Sequence, residues 1–367
     1  MTSADCCFSP DFVTARRRFR EAVAAQHGRL DVLKLDGEGP GGEELTIDIG
    51  WFGAPHPRRV LVHSSGLHGV EGYAGSAIQL QWLTEGMPAL PADAAIAIVH
   101  VLNPYGCAWL RRVNENNVDL NRNFRAADDD GADPARDNPA LDAWLNPRTA
   151  PRRDFFYARA AWLVLRHGMA TMRQAVAGGQ RINAKGLFYA GSNLEPGPAL
   201  YQNYLAEKLT RADRIVAIDV HTGYGRYGDD MLLVDAATAR SRVHQTMREI
   251  FGERTQMDNE GIAYRARGAQ HDMYDRLFRA ASVYFATQEF GTFHALRVLA
   301  ALRAENRWHH YGAGAADHTP RKQLMAAFCP ADNAWRGNVL RRGREVAGQA
   351  CALAFANDGG KLQEPAT

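Results

Sequence analysis

Arg59-Val60-Leu61-Val62-His63, followed closely by His68-Gly69-Val70-Glu71, is the stretch on which the fold and the chemistry both turn. The first run is short and apolar and stops at Ser64-Ser65-Gly66, the pattern of a buried strand closed by a turn signal. The second sets an imidazole and a carboxylate three residues apart in the loop or helix start behind that strand. Hydrolytic zinc sites commonly use two histidines and one glutamate and leave a fourth position open to water. An isolated H-x-x-E match is more often a surface pair than a ligand pair, so the rest of the chain has to supply the test.

Working outward, Leu45, Ile47, Ile49 and Trp51 alternate with Thr46, Asp48 and Gly50, which predicts a half-buried strand. Residues 94–102 (AAIAIVHVL) predict a buried strand stopped by Asn103-Pro104-Tyr105-Gly106. Further strands are expected at 214–220, 231–234 and 283–287. Ser9-Pro10-Asp11 opens an N-terminal helix, about 9–28, with Ser9 as its cap and Gly28 just past its end. Helical spacing recurs at about 72–85, 199–212, 239–251, 294–304 and 336–355. Apolar strands alternating with amphipathic helices imply an α/β fold, with a mostly parallel sheet covered on both faces.

In such sheets ligands collect outside the carboxyl ends of the strands. Strand 59–63 leads to His68 and Glu71, strand 214–220 to His221-Thr222-Gly223, and strand 283–287 to Gln288-Glu289-Phe290-Gly291-Thr292. One rim of one sheet therefore receives three polar groups fit for metal or acid–base work. His68, Glu71 and His221 are expected to hold one Zn2+ with an open fourth site. Glu289 is the expected general base, because a glutamate ending a buried strand is costly without a partner or a task.

Composition excludes several classes. The 367 residues are 46% hydrophobic and 23% charged, ordinary for a globular protein, and 43 Lys+Arg against 41 Asp+Glu leave a formal charge of +2. That balance gives no case for nucleic-acid or membrane-surface binding. No apolar run approaches the roughly 18 residues of a membrane span. The start, Met1-Thr2-Ser3-Ala4-Asp5-Cys6-Cys7, has no basic region leading into an apolar one. The five cysteines at 6, 7, 107, 329 and 351 form neither a disulfide framework nor a CxxC pattern. The expectation is a reduced, cytoplasmic protein. Ser64-Ser65-Gly66 is not a nucleophile elbow. His63 and His100 lie inside apolar strands and read as core histidines. Trp308-His309-His310-Tyr311 reads as an aromatic cluster at a helix end, and Asp317-His318 lacks a third partner.

A second dense cluster runs from Arg111 to Phe124 (RRVNENNVDLNRNF). Its arginine forks suit carboxylates, and Asp119 could accept the second ring proton of a metal-bound histidine. Read together, His68-x-x-Glu71, Asp119-Leu120-Asn121-Arg122-Asn123-Phe124, His221 and Glu289 resemble the zinc carboxypeptidase superfamily, which also contains the aspartoacylase and succinylglutamate desuccinylase deacylases. The closer wording, HSSGLHGVEG, NPYG, NENNVDLNRNF, DVHTG and QEFGT, resembles its DUF2817 branch over about residues 45 to 293.

The resemblance implies an α/β sandwich built on a mixed, mostly parallel eight-stranded sheet with one catalytic zinc. It implies that His68, Glu71 and His221 are ligands, that Glu289 is general base and acid, and that Asp119 supports the first histidine. Asn121 and Arg122 match the pair that grips a substrate's terminal carboxylate. Arg112, with Arg111 as its rival, matches the arginine that stabilises the oxyanion. Val70 stands where many carboxypeptidases carry an arginine, and Tyr264 and Tyr274 are both open as the substrate-binding tyrosine. The expected whole is a single domain over 1–367 with an insertion at about 125–213 and a helical C-terminal segment at about 294–357. The expected activity is carboxypeptidase-like hydrolysis of a small peptide. The alternatives are N-acyl amino acid deacylation and non-catalytic binding on the same scaffold. The deacylases usually add a β-rich C-terminal domain, and the helical pattern after Phe293 favours the peptidase. Oligomeric state is left open.

Overall fold

Eight strands, β1 (Arg29–Glu38), β2 (Glu44–Gly53), β3 (Arg59–Ser65), β4 (Ala94–His100), β5 (Arg214–Thr222), β6 (Asp230–Val234), β7 (Thr255–Met257) and β8 (Ser282–Phe290), join in one sheet. This is a computed structural model, and it describes residues 6–125, 139–152, 154–169, 172, 178–234, 241–257, 268–312 and 319–356. The strand order is β1-β2-β4-β3-β5-β8-β6-β7. Pairs β3–β4, β3–β5, β5–β8 and β6–β7 are parallel, and β1–β2, β2–β4 and β6–β8 are antiparallel. The α/β class and the mixed, mostly parallel eight-stranded sheet are as expected.

Successive side chains of a central strand point to opposite faces, and each face has its own cover. On one, Phe19, Trp82 and Val346 from helices Phe12–Ala25, Gly72–Glu85 and Asn333–Phe355 cluster with Leu61, Ile96 and Val216. On the other, Tyr201, Leu205, Tyr274 and Phe278 cluster with Val60, Val62 and Ile215.

Three departures from the sequence reading have physical causes. Strand β2 is buried from Leu45 to Phe52 on both faces rather than half-buried. Its polar residues tolerate this because Arg20 of the first helix forks onto Asp48, with Nε 2.5 Å from Oδ2 and Nη2 2.9 Å from Oδ1. That first helix begins at Phe12, not Ser9, and Asp11 is its cap, accepting from Thr14 N at 2.7 Å. Strand β1 keeps no single apolar period, since Leu30 and Val32 give way to Leu33 and Leu35 on the alternate positions, and as an edge strand it buries only Leu35.

His63 and His100 are fully buried, and burial pushes both imidazoles down to about 4, so they sit neutral in the core. His100 Nε2 lies 3.0 Å from Ser76 Oγ, and its ring stacks on Phe19 with centroids 4.7 Å apart.

The sheet positions the site through its register. Ser65 of β3 pairs with Val220 of β5, which pairs with Gln288 of β8, so three parallel strands end at one level. The chain leaves β3 for β4 on one side and returns as β5 on the other, so the order reverses there. A crevice at the carboxyl ends is the geometric result. Among the described residues no helix is long and apolar enough to cross a membrane.

Candidate active site

His68 caps, and Glu71 ends, a single 3-10 turn, Gly69–Glu71, that bridges β3 and helix Gly72–Glu85. The turn is pinned to the neighbouring loop, with Gly69 N bonded to Arg112 O at 3.1 Å and Val70 N to Arg111 O at 3.0 Å. A Cβ at Gly69 would meet the Gly106 backbone at 2.0 Å, so this close approach requires glycine. Val70 is buried in the cluster that also holds Phe188 and Phe328, so its side chain belongs to the core.

The expected trio comes together. One possible ligand atom each of His68, Glu71 and His221 lie within 4.8 Å of one another, and all three residues are buried. His68 Nδ1 stands 3.0 Å from Glu71 Oε1, and His221 Nδ1 stands 3.2 Å from Glu71 Oε2. The far nitrogens are held alike. His68 Nε2 lies 3.0 Å from Asp119 Oδ1, and His221 Nε2 lies 2.6 Å from Asp219 Oδ2. An aspartate at Nε2 orients each ring and leaves Nδ1 as the nitrogen that faces the shared carboxylate.

Glu71 is held well below the usual carboxylate range. Burial alone would raise it, and the positive charge of His68, the close approach of both imidazoles and the charge of Arg112 outweigh that burial. His221 is raised well above its ordinary value, with the Asp219 charge overcoming burial. A divalent cation fits this set. The donors are the two nitrogens and one carboxylate of a hydrolytic site, and buried His68 Nδ1 has no hydrogen-bond geometry to any partner despite its 3.0 Å approach to Glu71.

Asp219, which contacts His221 in the trio, carries no role in the sequence analysis. It lies two residues before His221 on the same strand, hence on the same face, and that spacing was the available signal. Ser64 Oγ, its register partner on β3, donates to Asp219 Oδ1 at 2.6 Å.

Glu289 pairs directly with His221 in the parallel β5–β8 ladder. Its Oε1 accepts from Tyr224 N at 3.0 Å. Burial, then the negative charge of Glu71, pushes its carboxyl up to about 8.

The 111–124 loop separates its arginines. Arg111 is fully buried and turned away from the trio, with Nε 2.8 Å from Glu305 Oε1 and Nη2 3.0 Å from Asn117 Oδ1. Arg112 reaches the site, with Nη1 2.8 Å from Glu71 Oε1, Nε 3.3 Å from Asp119 Oδ2 and Nη2 2.9 Å from His68 Nε2. Arg122 also bonds Asp119 Oδ2. Together the arginines hold Asp119 well below its usual range against the cost of burial. Asn121 is partly exposed, and its Oδ1 accepts from Gln270 N at 3.3 Å.

The other asparagines of the loop do structural work. Asn114 Nδ2 bonds Glu195 Oε2 at 2.6 Å, Asn117 Nδ2 bonds the carbonyls of Ala184 and Gly186 at 3.0 Å, and Asn123 Nδ2 bonds those of Ala190 and Asn193. Part of the expected insertion, residues 178–195, is thereby docked against the loop. Tyr274 is fully buried and bonded to the Tyr201 hydroxyl at 3.0 Å, in the core rather than at the rim. Tyr264, the acidic run Asp128-Asp129-Asp130 and Asp317-His318 lie outside the described residues.

A family model described as "Protein of unknown function (DUF2817)" matches residues 8–342, and the chain belongs to that family. A search of curated proteins finds no match. Among solved structures, the chain is similar to carboxypeptidase A from Helicoverpa armigera, with 14% identity, 95% of this chain and 74% of that chain covered, and a TM-score of 0.49. It is also similar to bovine thrombin-activatable fibrinolysis inhibitor in complex with tick carboxypeptidase inhibitor, at 11% identity over 91% and 98% of the two chains and a TM-score of 0.46. Murein-tripeptide amidase MpaA from Escherichia coli O157 is 18% identical over 78% of this chain and 96% of its own, with a TM-score of 0.36.

Proposed function

We propose that this chain is a metal-dependent amide hydrolase of carboxypeptidase-like chemistry, acting as one domain on a small peptide, with one Zn2+ held by His68, Glu71 and His221. The observation that carries the reading is the symmetry of the trio: both histidines present Nδ1 to one buried carboxylate and Nε2 to a buried aspartate. When bound, such a cation supplies Lewis acidity toward a carbonyl oxygen and toward water.

The chain's own groups do the rest. Glu289 accepts the proton of the attacking water and returns it to the departing amine. Its neighbour Glu71 is one of the two causes of its raised pKa. Were a cation held by His68, Glu71 and His221, it would offset the Glu71 charge, so that Glu289 could serve as the proton acceptor. Arg112, at the edge of the trio with its side chain 14% exposed, donates to the oxyanion as the carbonyl becomes tetrahedral. Asn121 and Arg122 hold the substrate's terminal carboxylate. Asp119 and Asp219 keep the two imidazoles in the ligating tautomer.

Among the described residues after the last strand stand the helices Ala295–Tyr311, Thr319–Phe328 and Asn333–Phe355, and on that helical character we place the peptidase ahead of the N-acyl amino acid deacylase. The test is metal content by mass spectrometry on the purified protein, together with hydrolysis of a mixed library of peptides and N-acyl amino acids. About one zinc per chain with chelator-sensitive cleavage of peptides is the expected result. Cleavage of N-acyl amino acids alone would give the deacylase reading, and no metal after reconstitution would leave a binding protein on this scaffold.

A further inference from the structure

Phe188 belongs to the docked segment, far in sequence from every residue assigned above, and it has two unusual properties. Its φ is +58°, in the left-handed region that bulky residues rarely enter. Its ring also lies under both guanidinium groups of the site, with Arg122 Cζ 5.2 Å and Arg112 Cζ 5.8 Å from the centroid. Both distances fall within the roughly 6 Å at which a cation is attracted to an aromatic face.

The backbone around it is fixed from two sides. Gln180 N bonds Phe188 O at 2.9 Å, and Asp119 N bonds the adjacent Tyr189 O at 2.8 Å. Nearby, a Cβ at Gly179 would meet Arg122 Cδ at 2.4 Å, so the segment also closes on the stem of that arginine. Strain such as the positive φ of Phe188 persists where surrounding structure over-determines it, often at functional sites.

We propose that Phe188 is a positioning residue: its ring face and the Asp119 carboxylate together hold Arg112 and Arg122 in place, so that the docked segment completes the substrate-binding side of the active site. This rests on the hydrolase reading for what the arginines do, but not for where they are held. Asp119 Oδ2 is shared by the two forks, and Glu71 Oε1 engages Arg112 Nη1 as well at 2.8 Å. The aromatic face adds a restraint on both guanidinium groups that itself occupies no N–H donor.

The test compares Phe188→Leu, which keeps apolar bulk and removes the π face, with Phe188→Tyr, which keeps the ring. In the full-length protein labelled with 15N-arginine, the Nε–H resonances of Arg112 and Arg122 are assigned through Arg112→Lys and Arg122→Lys. Both resonances are expected to move in Phe188→Leu, as the ring current is lost, and to stay near their original positions in Phe188→Tyr. Peptide kcat/KM is expected to fall about tenfold in the leucine variant, chiefly through KM, and to stay within about twofold in the tyrosine variant. Unmoved arginine resonances in Phe188→Leu, or equal damage from both substitutions, would overturn the proposal. Absence of any hydrolysis in the unmodified protein would sink the hydrolase reading alone, because the resonances still decide the role of Phe188.

Discussion

The rim that carries His68, Glu71, His221 and Glu289 and the loop from Arg111 to Phe124 are both rich in polar residues, yet they are built in opposite ways. Each rim residue stands at or just past the end of a buried strand, and the parallel register alone brings His221 beside Glu289. The loop has no regular partner strand. It is held by side chains reaching to Glu195, Ala184, Gly186, Ala190, Asn193 and Glu305. Polar residues at strand ends of a doubly covered sheet are therefore a guide to chemistry, whereas in the loop most of them hold backbone in place.

The strongest way to break the rim is Glu289→Gln. Metal content should be unchanged while turnover falls by about 10²–10⁴, the usual worth of a positioned general base, and full activity with bound metal would remove this assignment. The loop is broken by Asn123→Ala. Its amide makes two bonds to the Ala190 and Asn193 carbonyls and accepts one from Glu195 N. At about 1 kcal/mol per bond, its loss should lower unfolding stability by about 3 kcal/mol in denaturant titrations. A stability unchanged from wild type would show that the segment is held elsewhere.

Acid sharpens the comparison, because His63 and His100 lie inside the strands that support the rim. Their folded pKa values, pushed down to about 4, lie below the roughly 6.5 of an unfolded chain. The unfolded state therefore binds more protons, and stability falls as pH drops through the window from 6.5 to 4. The loss by pH 5 is about 2 kcal/mol per imidazole. Chemical denaturation at pH 7 and 5 should show it, with a shallower slope in a His100→Asn variant; the same slope in that variant would place the acid sensitivity in other groups. The smallest effect is expected from Asp219→Asn. The amide oxygen still accepts from His221 Nε2 but loses the charge, so metal affinity should weaken about tenfold in a chelator competition. A variant that binds metal as tightly as wild type would make Asp219 a packing residue.

Much of this was legible in local sequence. Strands β2 to β6 and β8 and the helices after β3 and β8 announced themselves through apolar period. The rule that ligands gather at carboxyl ends then singled out His68, Glu71, His221 and Glu289 before any coordinates. The edge strand β1 did not, since its apolar residues Leu30, Val32, Leu33 and Leu35 change phase midway and only Leu35 is buried. Asp48 misled for a related reason. Its polarity predicted a wet face, and the arginine that neutralises it lies 28 residues earlier on a helix.

By itself, the sequence indicated the class of the fold, six of the eight strands and the trio that the structure brings together, because strand period and strand-end position are set by neighbours along the chain. Only the tertiary structure decided between the adjacent Arg111 and Arg112. One is captured by Glu305, 194 residues away, and the other by Glu71 and Asp119. It likewise decided that Tyr274 is core, that Asp219 backs His221, and that Phe188 underlies two guanidinium groups. Those choices depend on which distant groups fold into hydrogen-bond reach, and no local period records them.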